Sequence, residues 1–374
     1  MGEAHRLHST WAEVDLGVVK HNIRFFLNLS KTEVMAIVKA NAYGHGAVQV
    51  ARAALEAGAS WCGVARTNEA LELRQAGLNC PVLILGYTPE GQYSEMIAEQ
   101  VSLTVWNLDQ VKSISAAAGK LKKEASVHIN VDTGMHRLGA EPSNALALIQ
   151  ASARLSNIRI AGLFTHFARA DEAAPAANDA QEEIFQDLLA KVDAEQIRIP
   201  MVHAANSAAS LTRPSVHFNC LRIGIAMYGL HPSADCPLPP EIKPALKWTS
   251  ALSQVKTLPA GSGVSYGHQY RTSRRERIGT VPVGYADGFR RVTGNFVLVG
   301  GQKVPVVGRV TMDQIMVQLD EAPDAKAGDE VVLLGEQGGA QMTAEEIAGR
   351  WGTINYEVTS GISGRVPRLY RSND

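Results

Sequence analysis

Polar residues follow the ends of successive apolar runs in the first two-thirds of this chain. Lys39 ends the first of these runs, in AIVKANAYGHG, while His166 and His203 lie in LFTHFARADE and VHAANSAAS. A lysine at the end of a buried strand can form a Schiff base with a carbonyl group, because desolvation lowers the pKa of its amine. The alternative is that Lys39 is only a solvated residue at a strand end.

Two small residues further along have the features of a phosphate site. Ser207 begins a turn of small residues whose free backbone amides can bind an anion, and Gly224, in RIGIAMYGL, lets the backbone approach a ligand closely. The serine could equally be only a helix N-cap. In (β/α)8 barrels, phosphate is often bound by the loops after strands seven and eight, where these two residues are predicted to lie. The sequence therefore favours a phosphorylated cofactor.

The sequence lacks the motifs of several other kinds of site. His166 and His203 have no third ligand at metal-binding spacing and HExxH is absent, so we expect no metal. Neither a GxSxG elbow nor a GxxxxGK[ST] loop is present. The four cysteines lack CxxC pairing, which argues against a zinc site or a disulfide framework and indicates a reducing, cytoplasmic location.

The composition of the 374 residues is that of an ordinary globular protein. Hydrophobic residues make up 45% and charged residues 20%. The 36 basic and 37 acidic residues give a net charge of −1, which argues against a nucleic-acid partner. No run approaches the roughly 20 apolar residues of a membrane span, so we expect no membrane partner.

Strands and helices alternate through the first two-thirds of the chain. Near-continuous apolar runs rich in β-branched residues are typical of parallel strands buried on both faces, and amphipathic stretches lie between them. About eight such units close a (β/α)8 barrel of about 250 residues. An open doubly wound sheet is the alternative, but no GxGxxG follows the first strand. We therefore predict an α/β fold with an N-terminal (β/α)8 TIM-type barrel; the runs begin at residues 34, 61, 81, 102, 125, 158, 201 and 221.

The pattern changes after Pro244. Short strand-like runs separated by glycine and proline replace the helices and indicate a mainly-β C-terminal domain. Thr343 and Glu346 form a capping-box pattern that predicts one helix over 344–351. The predicted domains are a cofactor-binding barrel at 12–240 and a β-rich domain at 245–374, joined by an N-terminal strand within 1–14.

Taken together, these segments resemble the alanine racemases, the fold-type III enzymes that use pyridoxal 5′-phosphate (PLP). AIVKANAYGHG is similar to the PLP-lysine signature of that family. The resemblance covers essentially the whole chain and implies a barrel followed by a β domain, with the N-terminal strand TWAEVDL folded onto the β domain. The other matching segments occur in family order: HINVDTGMHRLG, LFTHFARADE, VHAANSAASL, RIGIAMYGL, VSYGHQY, VGYADGFRR, VGRVTMDQ and INYEVTSGISGRVPR.

The resemblance implies a two-base interconversion of L- and D-alanine that supplies D-alanine for peptidoglycan. Lys39 would hold PLP and act as one base, and Tyr266 of a second subunit would be the opposing base. A homodimer with shared active sites is therefore implied. Arg222 would contact the PLP pyridine nitrogen, with His203 supporting it and His166 lying between it and Tyr266. The resemblance also implies three further groups of residues. The phosphate of PLP would be bound by Tyr43, Ser207, Gly224, Ile225 and Tyr356, and the substrate would be contacted by Arg137, Met312 and Tyr285. The outer corridor through which the substrate enters would be lined by Asp171, Arg290, Arg309 and Ile354.

Two positions depart from the family pattern. Asn130 stands where many members have a carbamylated lysine that steadies the substrate arginine. We expect the neutral amide of Asn130, or a bound anion such as chloride, to orient Arg137 instead. Thr311 replaces a cysteine or serine, and we expect a modest effect on substrate preference.

Other functions on the same scaffold remain as alternatives. A racemase for serine or for a broader range of amino acids would use the same residues. A non-catalytic PLP carrier would resemble the barrel alone, without the β domain and Tyr266. A related decarboxylase would pair an acidic residue with the pyridine nitrogen, where this chain has Arg222.

Overall fold

The computed structural model describes residues 7–173 and 175–372. Within that range the chain forms two compact units. Residues 18–42 and 47–243 form the barrel unit, and residues 7–17, 43–46 and 244–372 form the β unit. Residues 1–6 and 373–374, which belong to the two predicted terminal segments, lie outside the described residues.

Parallel strands form the sheet of the barrel unit. Their apolar runs bury both faces, as a barrel lined by side chains inside and covered by helices outside requires. After β1 (Thr10–Asp15), which belongs to the β unit, the barrel strands are β2 (Glu33–Ile37), β3 (Trp61–Val64), β4 (Val82–Ile84), β5 (Val101–Val105), β6 (Ala125–Asn130), β7 (Ile158–Phe164), β8 (Met201–His203) and β9 (Cys220–Ile223). They are hydrogen-bonded in the order β8-β7-β6-β5-β4-β3-β2-β9, and Arg222 N donates to Ala205 O at 3.0 Å between the last two strands in sequence. The predicted fold class is therefore confirmed.

Helices connect these strands as the amphipathic stretches predict. In α2, for example, Val50, Ala51 and Ala54 are buried at helical spacing. In α5, the side chain of Asn107 caps the first turn by accepting from Gln110 N at 2.9 Å. The helices of this region are α1 (Leu16–Ser30), α2 (Ala47–Glu56), α3 (Thr67–Gln75), α4 (Tyr93–Ala98), α5 (Leu108–Leu121), α6 (Pro142–Ala153), α7 (Pro175–Ala194) and α8 (Ser207–Thr212).

The last barrel run differs from its prediction. Apart from Arg222 the run 221–229 is apolar, but its strand ends at Ile223 and a 3-10 helix follows over Ile225–Tyr228. Gly229 ends this helix with φ +77°, a conformation that glycine adopts without steric cost. All four residues of the 3-10 helix are buried, so hydrophobicity alone did not distinguish them from a strand.

The β unit is built on an antiparallel sheet. Its strands are β1, β10 (Leu246–Ala251), β11 (Gln254–Leu258), β12 (Gly263–Val264), β13 (Tyr270–Arg271), β14 (Glu276–Val281), β15 (Phe296–Val299), β16 (Gln302–Val307), β17 (Ile315–Gln318), β18 (Glu330–Gln337), β19 (Ala340–Met342) and β20 (Arg368–Arg371). The main sheet runs β11-β14-β17-β16-β15-β18-β10-β1-β20, with β1 antiparallel to β10 and parallel to β20. β12 and β13 form a separate hairpin.

Two helices complete the β unit. The predicted helix is α9 (Ala344–Trp351), and Thr343 caps it by accepting from Glu346 N at 3.1 Å. A second helix, α10 (Asn355–Ser360), was not predicted; it has six residues and no side-chain cap. The core of the unit contains Trp248 and Trp351, whose rings lie 6.2 and 5.9 Å from the ring of Phe289. In the described residues of both units, no helix combines the length and the apolar character needed to cross a membrane.

Candidate active site

Polar side chains occupy the carboxyl ends of the barrel strands. Lys39 lies two residues beyond β2, His166 two residues beyond β7, and His203 is the last residue of β8. Arg222 lies within β9, and Asn130 ends β6. Since the carboxyl ends of parallel barrel strands meet on one face, these residues belong to the same end of the barrel unit.

Arg222 is fully buried and donates five hydrogen bonds. Nη1 donates to Nδ1 of His203 at 3.0 Å and to the carbonyl of His203 at 2.8 Å. Nη2 donates to the carbonyls of Thr165 (2.8 Å) and Ala204 (2.9 Å) and to Nδ1 of His166 (3.1 Å). Burial lowers the pKa of Arg222 to about 10, so the guanidinium remains charged at neutral pH. These five bonds use both Nη atoms, and none of them uses Nε.

Because guanidinium only donates, Arg222 determines which nitrogen of each histidine carries the proton. Nδ1 of His203 and Nδ1 of His166 must both accept, so each ring carries its proton on Nε2. Burial lowers the pKa of both histidines well below the usual value, and the charge of Arg222 lowers each further. Both rings are therefore neutral at physiological pH.

The chain of hydrogen bonds continues to a third histidine that sequence reasoning did not single out. Nε2 of His203 donates to Nδ1 of His128 at 2.9 Å, so His128 is also neutral with its proton on Nε2. Burial lowers the pKa of His128 to about 3. Gly162 makes room for this ring, since a Cβ there would lie 2.2 Å from Nδ1 of His128. A histidine inside an otherwise apolar strand was the available sequence signal.

Lys39 precedes a turn of left-handed backbone. Ala40, Asn41 and Ala42 have φ between 51° and 54°, a conformation that costs about 1–2 kcal/mol for each residue with a side chain. Oδ1 of Asn41 accepts from the amide of Ala47 at 2.9 Å, which helps to hold the turn. The following residue, Tyr43, also has a positive φ of 52°.

Glu69, a residue that the sequence analysis missed, anchors the start of this turn. Its Oε1 accepts from the amide of Ala40 at 2.6 Å, and its Oε2 accepts from the amides of Ala65 (2.7 Å) and Arg66 (3.0 Å). Burial lowers the pKa of Lys39, with further lowering by Arg137 and Arg222, while the carboxylate of Glu69 raises it. Lys39 is therefore surrounded mainly by positive charge, which favours its neutral amine.

A second group of donors lies at the ends of β8 and β9. Ser207, the first residue of α8, accepts through Oγ from the amides of Gly224 (3.0 Å) and Ala226 (3.4 Å). Ile225 lies between those two amides and starts the 3-10 helix. Asn206 is the N-cap of α8, because its Oδ1 accepts from the amide of Ala209 at 2.9 Å. The hydroxyl of Ser207 is thus not the cap and is directed at the backbone after β9.

The loop that carries Arg137 is held by Asn130. Nδ2 of Asn130 donates to the carbonyl of Leu138 at 2.9 Å, next to Arg137 in sequence. Oδ1 of Asn130 is buried and has no hydrogen-bond partner among the described residues. Asp132 shapes the same loop by accepting through Oδ1 from the amides of Gly134 (3.0 Å) and His136 (2.9 Å). Arg137 itself is exposed.

Gln181 of α7 joins two of these loops and was also missed by sequence reasoning. Its Nε2 donates to the hydroxyl of Thr133 and to the carbonyl of His166, both at 3.1 Å. Its Oε1 accepts from the amide of Ala168 at 2.9 Å. Thr133 in turn lies 2.7 Å from the hydroxyl of Thr165. This polar side chain on a helix therefore holds the ends of β6 and β7, and no local sequence signal distinguishes it.

In the β unit, Tyr266 is presented at the tip of a strained turn. Its neighbours Ser265 and His268 have φ of +61° and +42°, and Oγ of Ser265 donates to the carbonyl of Arg309 at 2.7 Å. The side chain of Tyr266 is 70% exposed. Strained turns that hold an exposed polar side chain are common at functional sites. The side chain of Tyr266 is therefore accessible from outside the β unit.

Two further groups of predicted residues come together within the β unit. The amides of Tyr285 and Ala286 donate to the carbonyls of Thr311 and Met312, both at 3.1 Å. The rings of Tyr43 and Tyr356 lie 6.0 Å apart. The predicted corridor residues are divided between the units: Asp171 accepts from the hydroxyl of Ser233 in the barrel unit, while Arg290, Arg309 and Ile354 belong to the β unit.

The comparisons with known proteins cover both units. The family model for the alanine racemase N-terminal domain matches residues 14–232, and that for the alanine racemase C-terminal domain matches residues 245–370. The alanine racemase of Symbiobacterium thermophilum is 45% identical over 367 residues, which is 97% of each chain.

Solved structures agree with this similarity. The alanine racemase of Clostridium difficile 630 superimposes with a TM-score of 0.94 at 40% identity, covering 98% of this chain and 97% of that one. The alanine racemase of Bacillus anthracis with bound L-Ala-P gives a TM-score of 0.92 at 40% identity, covering 98% and 96%. Alanine racemases are isomerases that depend on pyridoxal 5′-phosphate, and this chain belongs to their family.

Proposed function

We propose that this chain interconverts L- and D-alanine with PLP held through Lys39. The observation that carries the proposal is the buried guanidinium of Arg222, whose five hydrogen bonds all go to neutral acceptors. Because no carboxylate of the described residues is among these acceptors, the buried charge favours an anionic ligand. Arg137 adds positive charge around the same end of the barrel unit, where it lowers the pKa of both Lys39 and His166.

The residues present fit PLP at both ends of the cofactor. The amide of Gly224 holds the hydroxyl of Ser207, whose own proton is then left to donate, and this hydroxyl together with the amide of Ile225 suits a phosphate group. The Nε–H of Arg222 suits a pyridine nitrogen that accepts a hydrogen bond. Tyr43 and Tyr356 would complete the phosphate site. Bound PLP supplies an electron-withdrawing ring that acidifies the Cα proton of the amino acid.

Lys39 would be the base on one face of the substrate. Because burial and the neighbouring arginines lower its pKa, more of the amine is neutral at physiological pH and able to accept a proton. The left-handed turn and Glu69 hold the backbone at this point, so the amine starts from a defined position. Positioning of this kind supports rapid proton transfer.

Tyr266 of a second subunit would be the base on the opposite face. His166 carries its proton on Nε2, so it would donate to the phenolic oxygen when Tyr266 has given up its proton. The positive charge of Arg222 on the other side of the imidazole would favour that state. The exposure of Tyr266 supports sharing between subunits, and hence a homodimer.

The substrate carboxylate would bind Arg137 and the backbone at Met312 of the second subunit. Tyr285 would limit the pocket to a small side chain, which favours alanine over larger substrates. The orientation of Arg137 would depend on Asn130 through the carbonyl of Leu138, with any bound anion as an additional partner. The physiological role would be cytoplasmic supply of D-alanine for peptidoglycan.

The test measures racemisation and solvent exchange separately. PLP-loaded protein and its Tyr266→Phe variant are incubated in deuterium oxide with L-alanine or D-alanine. Circular dichroism follows inversion, and mass spectrometry follows deuterium at Cα. In the variant, we expect the rate of inversion to fall at least about 100-fold, because loss of a general base usually lowers a rate by that much. D-Alanine should still exchange its Cα proton through Lys39.

Two controls keep this result specific. Tyr87→Phe, at another exposed tyrosine, should leave turnover unchanged. L-Serine in place of L-alanine tests the preference for a small substrate. Unchanged inversion by Tyr266→Phe would contradict the two-base assignment, and faster turnover of serine would move the chain to a serine racemase. If the protein binds PLP but turns over neither substrate, the result would favour a non-catalytic PLP carrier.

A further inference from the structure

Two free cysteines face each other at the amino-terminal end of the barrel. Cys62 lies in β3, and Cys80 lies in the loop between α3 and β4. Their sulfur atoms are 3.7 Å apart. The backbone around them is fixed, because β3 pairs with β4 through Cys62 and Val82 and the amide of Cys62 donates to the carbonyl of Pro81 at 2.9 Å. The two thiols are therefore held close by the sheet itself.

The direction of Cys62 follows from its neighbours in β3. Trp61 points into the barrel, where its ring lies 5.3 Å from that of His128. A Cβ on Gly63 would meet the side chains of Met35 and Ile37 of β2, so position 63 faces the same way. Because side chains alternate along a strand, Cys62 points outward to the helix layer. The thiol pair thus lies outside the barrel and at the opposite end from Lys39, which follows the carboxyl end of β2.

Arg74 holds the loop that carries Cys80. Its Nη1 donates to the carbonyls of Leu78 (2.7 Å) and Cys80 (2.9 Å), and its Nε donates to the carbonyl of Glu99 (2.9 Å). A hydrogen bond from the Cys62 thiol, with the charge of Arg74, lowers the pKa of Cys80 below that of an ordinary thiol. The same bond and burial raise the pKa of Cys62.

The two thiols differ in exposure, and a disulfide exchange in two steps needs one exposed thiol and one buried thiol beside it. Cys80 is partly exposed and Cys62 is buried. Cys80 is accordingly the thiol that meets a small reagent, and Cys62 is the one that can reach only Cys80. The other two cysteines lack these features: Cys220 and Cys236 are both buried, and burial raises the pKa of each.

We propose that Cys62 and Cys80 form a reversible intramolecular disulfide by exchange with a low-molecular-weight disulfide. The thiolate of Cys80 attacks one sulfur of the small disulfide, whose S–S bond breaks and releases one small thiolate. The sulfur of Cys62 then attacks the sulfur of Cys80, the bond between Cys80 and the small thiol breaks, and the proton of Cys62 passes to the departing sulfur, which leaves as the second small thiol. Two protein thiols are oxidised by two electrons, and the small disulfide is reduced to two thiols.

The test uses the full-length, PLP-loaded protein and oxidised glutathione. After incubation, free thiols are alkylated, and the protein is digested without reduction and mapped by mass spectrometry. We expect a linked pair of peptides containing Cys62 and Cys80, with Cys220 and Cys236 alkylated only after unfolding. Dithiothreitol should return both thiols. Racemisation should change less than about twofold, because the pair lies at the end of the barrel away from Lys39.

Variants separate the two steps. Cys62→Ser should trap glutathione on Cys80, because no second thiol is present to release it. Cys80→Ser should lower the rate of glutathione incorporation at least about tenfold, since the remaining thiols are buried. Cys236→Ser is the matched control and should still form the linked peptides. The PLP absorbance band and the far-ultraviolet circular dichroism of each variant report whether it is folded.

Three outcomes would overturn the proposal. Glutathione that stays on Cys80 in the unsubstituted protein would show that Cys62 does not attack it. Equal oxidation of Cys220 would show that the pair is not selectively reactive. Unchanged alkylation of both thiols after long incubation would show that no disulfide forms.

Discussion

Replacing His128 with phenylalanine tests the chain of neutral histidines inside the barrel. The ring size is nearly preserved, but the acceptor for the Nε2–H of His203 is lost. Both side chains are fully buried, so water cannot replace the bond. An unsatisfied buried donor costs about 1–3 kcal/mol. Phenylalanine also removes the Nε2–H of His128, which is buried and has no hydrogen-bond partner among the described residues. Because the loss at His203 and the gain at position 128 oppose each other, we expect the free energy of unfolding of His128→Phe to fall by no more than about 1 kcal/mol near neutral pH.

The pH dependence gives a second, independent magnitude. Because burial lowers the pKa of His128 to about 3, the unfolded chain binds more protons than the folded chain between that pH and the unfolded value of about 6.5. This histidine therefore destabilises the fold as pH falls, by about 1.4 kcal/mol per pH unit. His128→Phe loses this contribution. Relative to the unsubstituted protein, the free energy of unfolding of the variant should therefore rise by about 2 kcal/mol between neutral pH and about pH 5.

Urea unfolding of the PLP-loaded protein, followed by circular dichroism at both pH values, measures both quantities. His128→Asn is the matched control. Its side-chain oxygen can accept from His203, so the cost near neutral pH should be smaller, yet it cannot titrate and should show the same reduced pH dependence. A fall of more than about 3 kcal/mol by His128→Phe near neutral pH would contradict this balance of lost and removed unsatisfied donors. A relative free energy of unfolding that does not rise on acidification would refute the neutral state of His128.

Three other substitutions test the supports of the site. Gly162→Ala places a Cβ 2.2 Å from His128, and should lower the free energy of unfolding by about 1–3 kcal/mol in urea denaturation; an unchanged midpoint would contradict this packing. Ser207→Ala removes a hydroxyl from the proposed phosphate site and should weaken PLP binding about tenfold in a fluorescence titration, whereas equal affinity would exclude that role. Glu69→Gln removes the charge that raises the pKa of Lys39, so the acid limb of the kcat profile, which reports groups in the substrate complex, should move to lower pH; a move to higher pH would contradict the assigned sign.

The fold class followed from the sequence because its signals are local. Continuous apolar runs separated by amphipathic stretches predict buried parallel strands and covering helices, and β2 to β9 lie in those runs. The helix α9 was predicted from Thr343 and Glu346 within one turn. The short helices at Ile225–Tyr228 and Asn355–Ser360 were not predicted, since pieces of four to six residues carry too little periodicity to be distinguished.

The chemistry-bearing residues at strand ends were also visible in the sequence. Lys39, His166, His203 and Arg222 all follow or lie in apolar runs, and a barrel gathers the ends of those runs on one face. Their roles in relation to PLP and to Tyr266 rested on the family resemblance. From residue type and spacing alone, Lys39 could also have been an ordinary solvated lysine at the end of a strand.

The tertiary structure alone decided how those residues act on one another. The hydrogen bond between His128 and His203 joins positions 75 residues apart in sequence, and the one between Arg222 and His166 joins positions 56 residues apart. Which nitrogen of each imidazole carries the proton depends on these partners, and so does the lowered pKa of each ring. Such contacts form only when the barrel closes, because desolvation and hydrogen-bond direction are properties of the assembled interior and not of any segment of the chain.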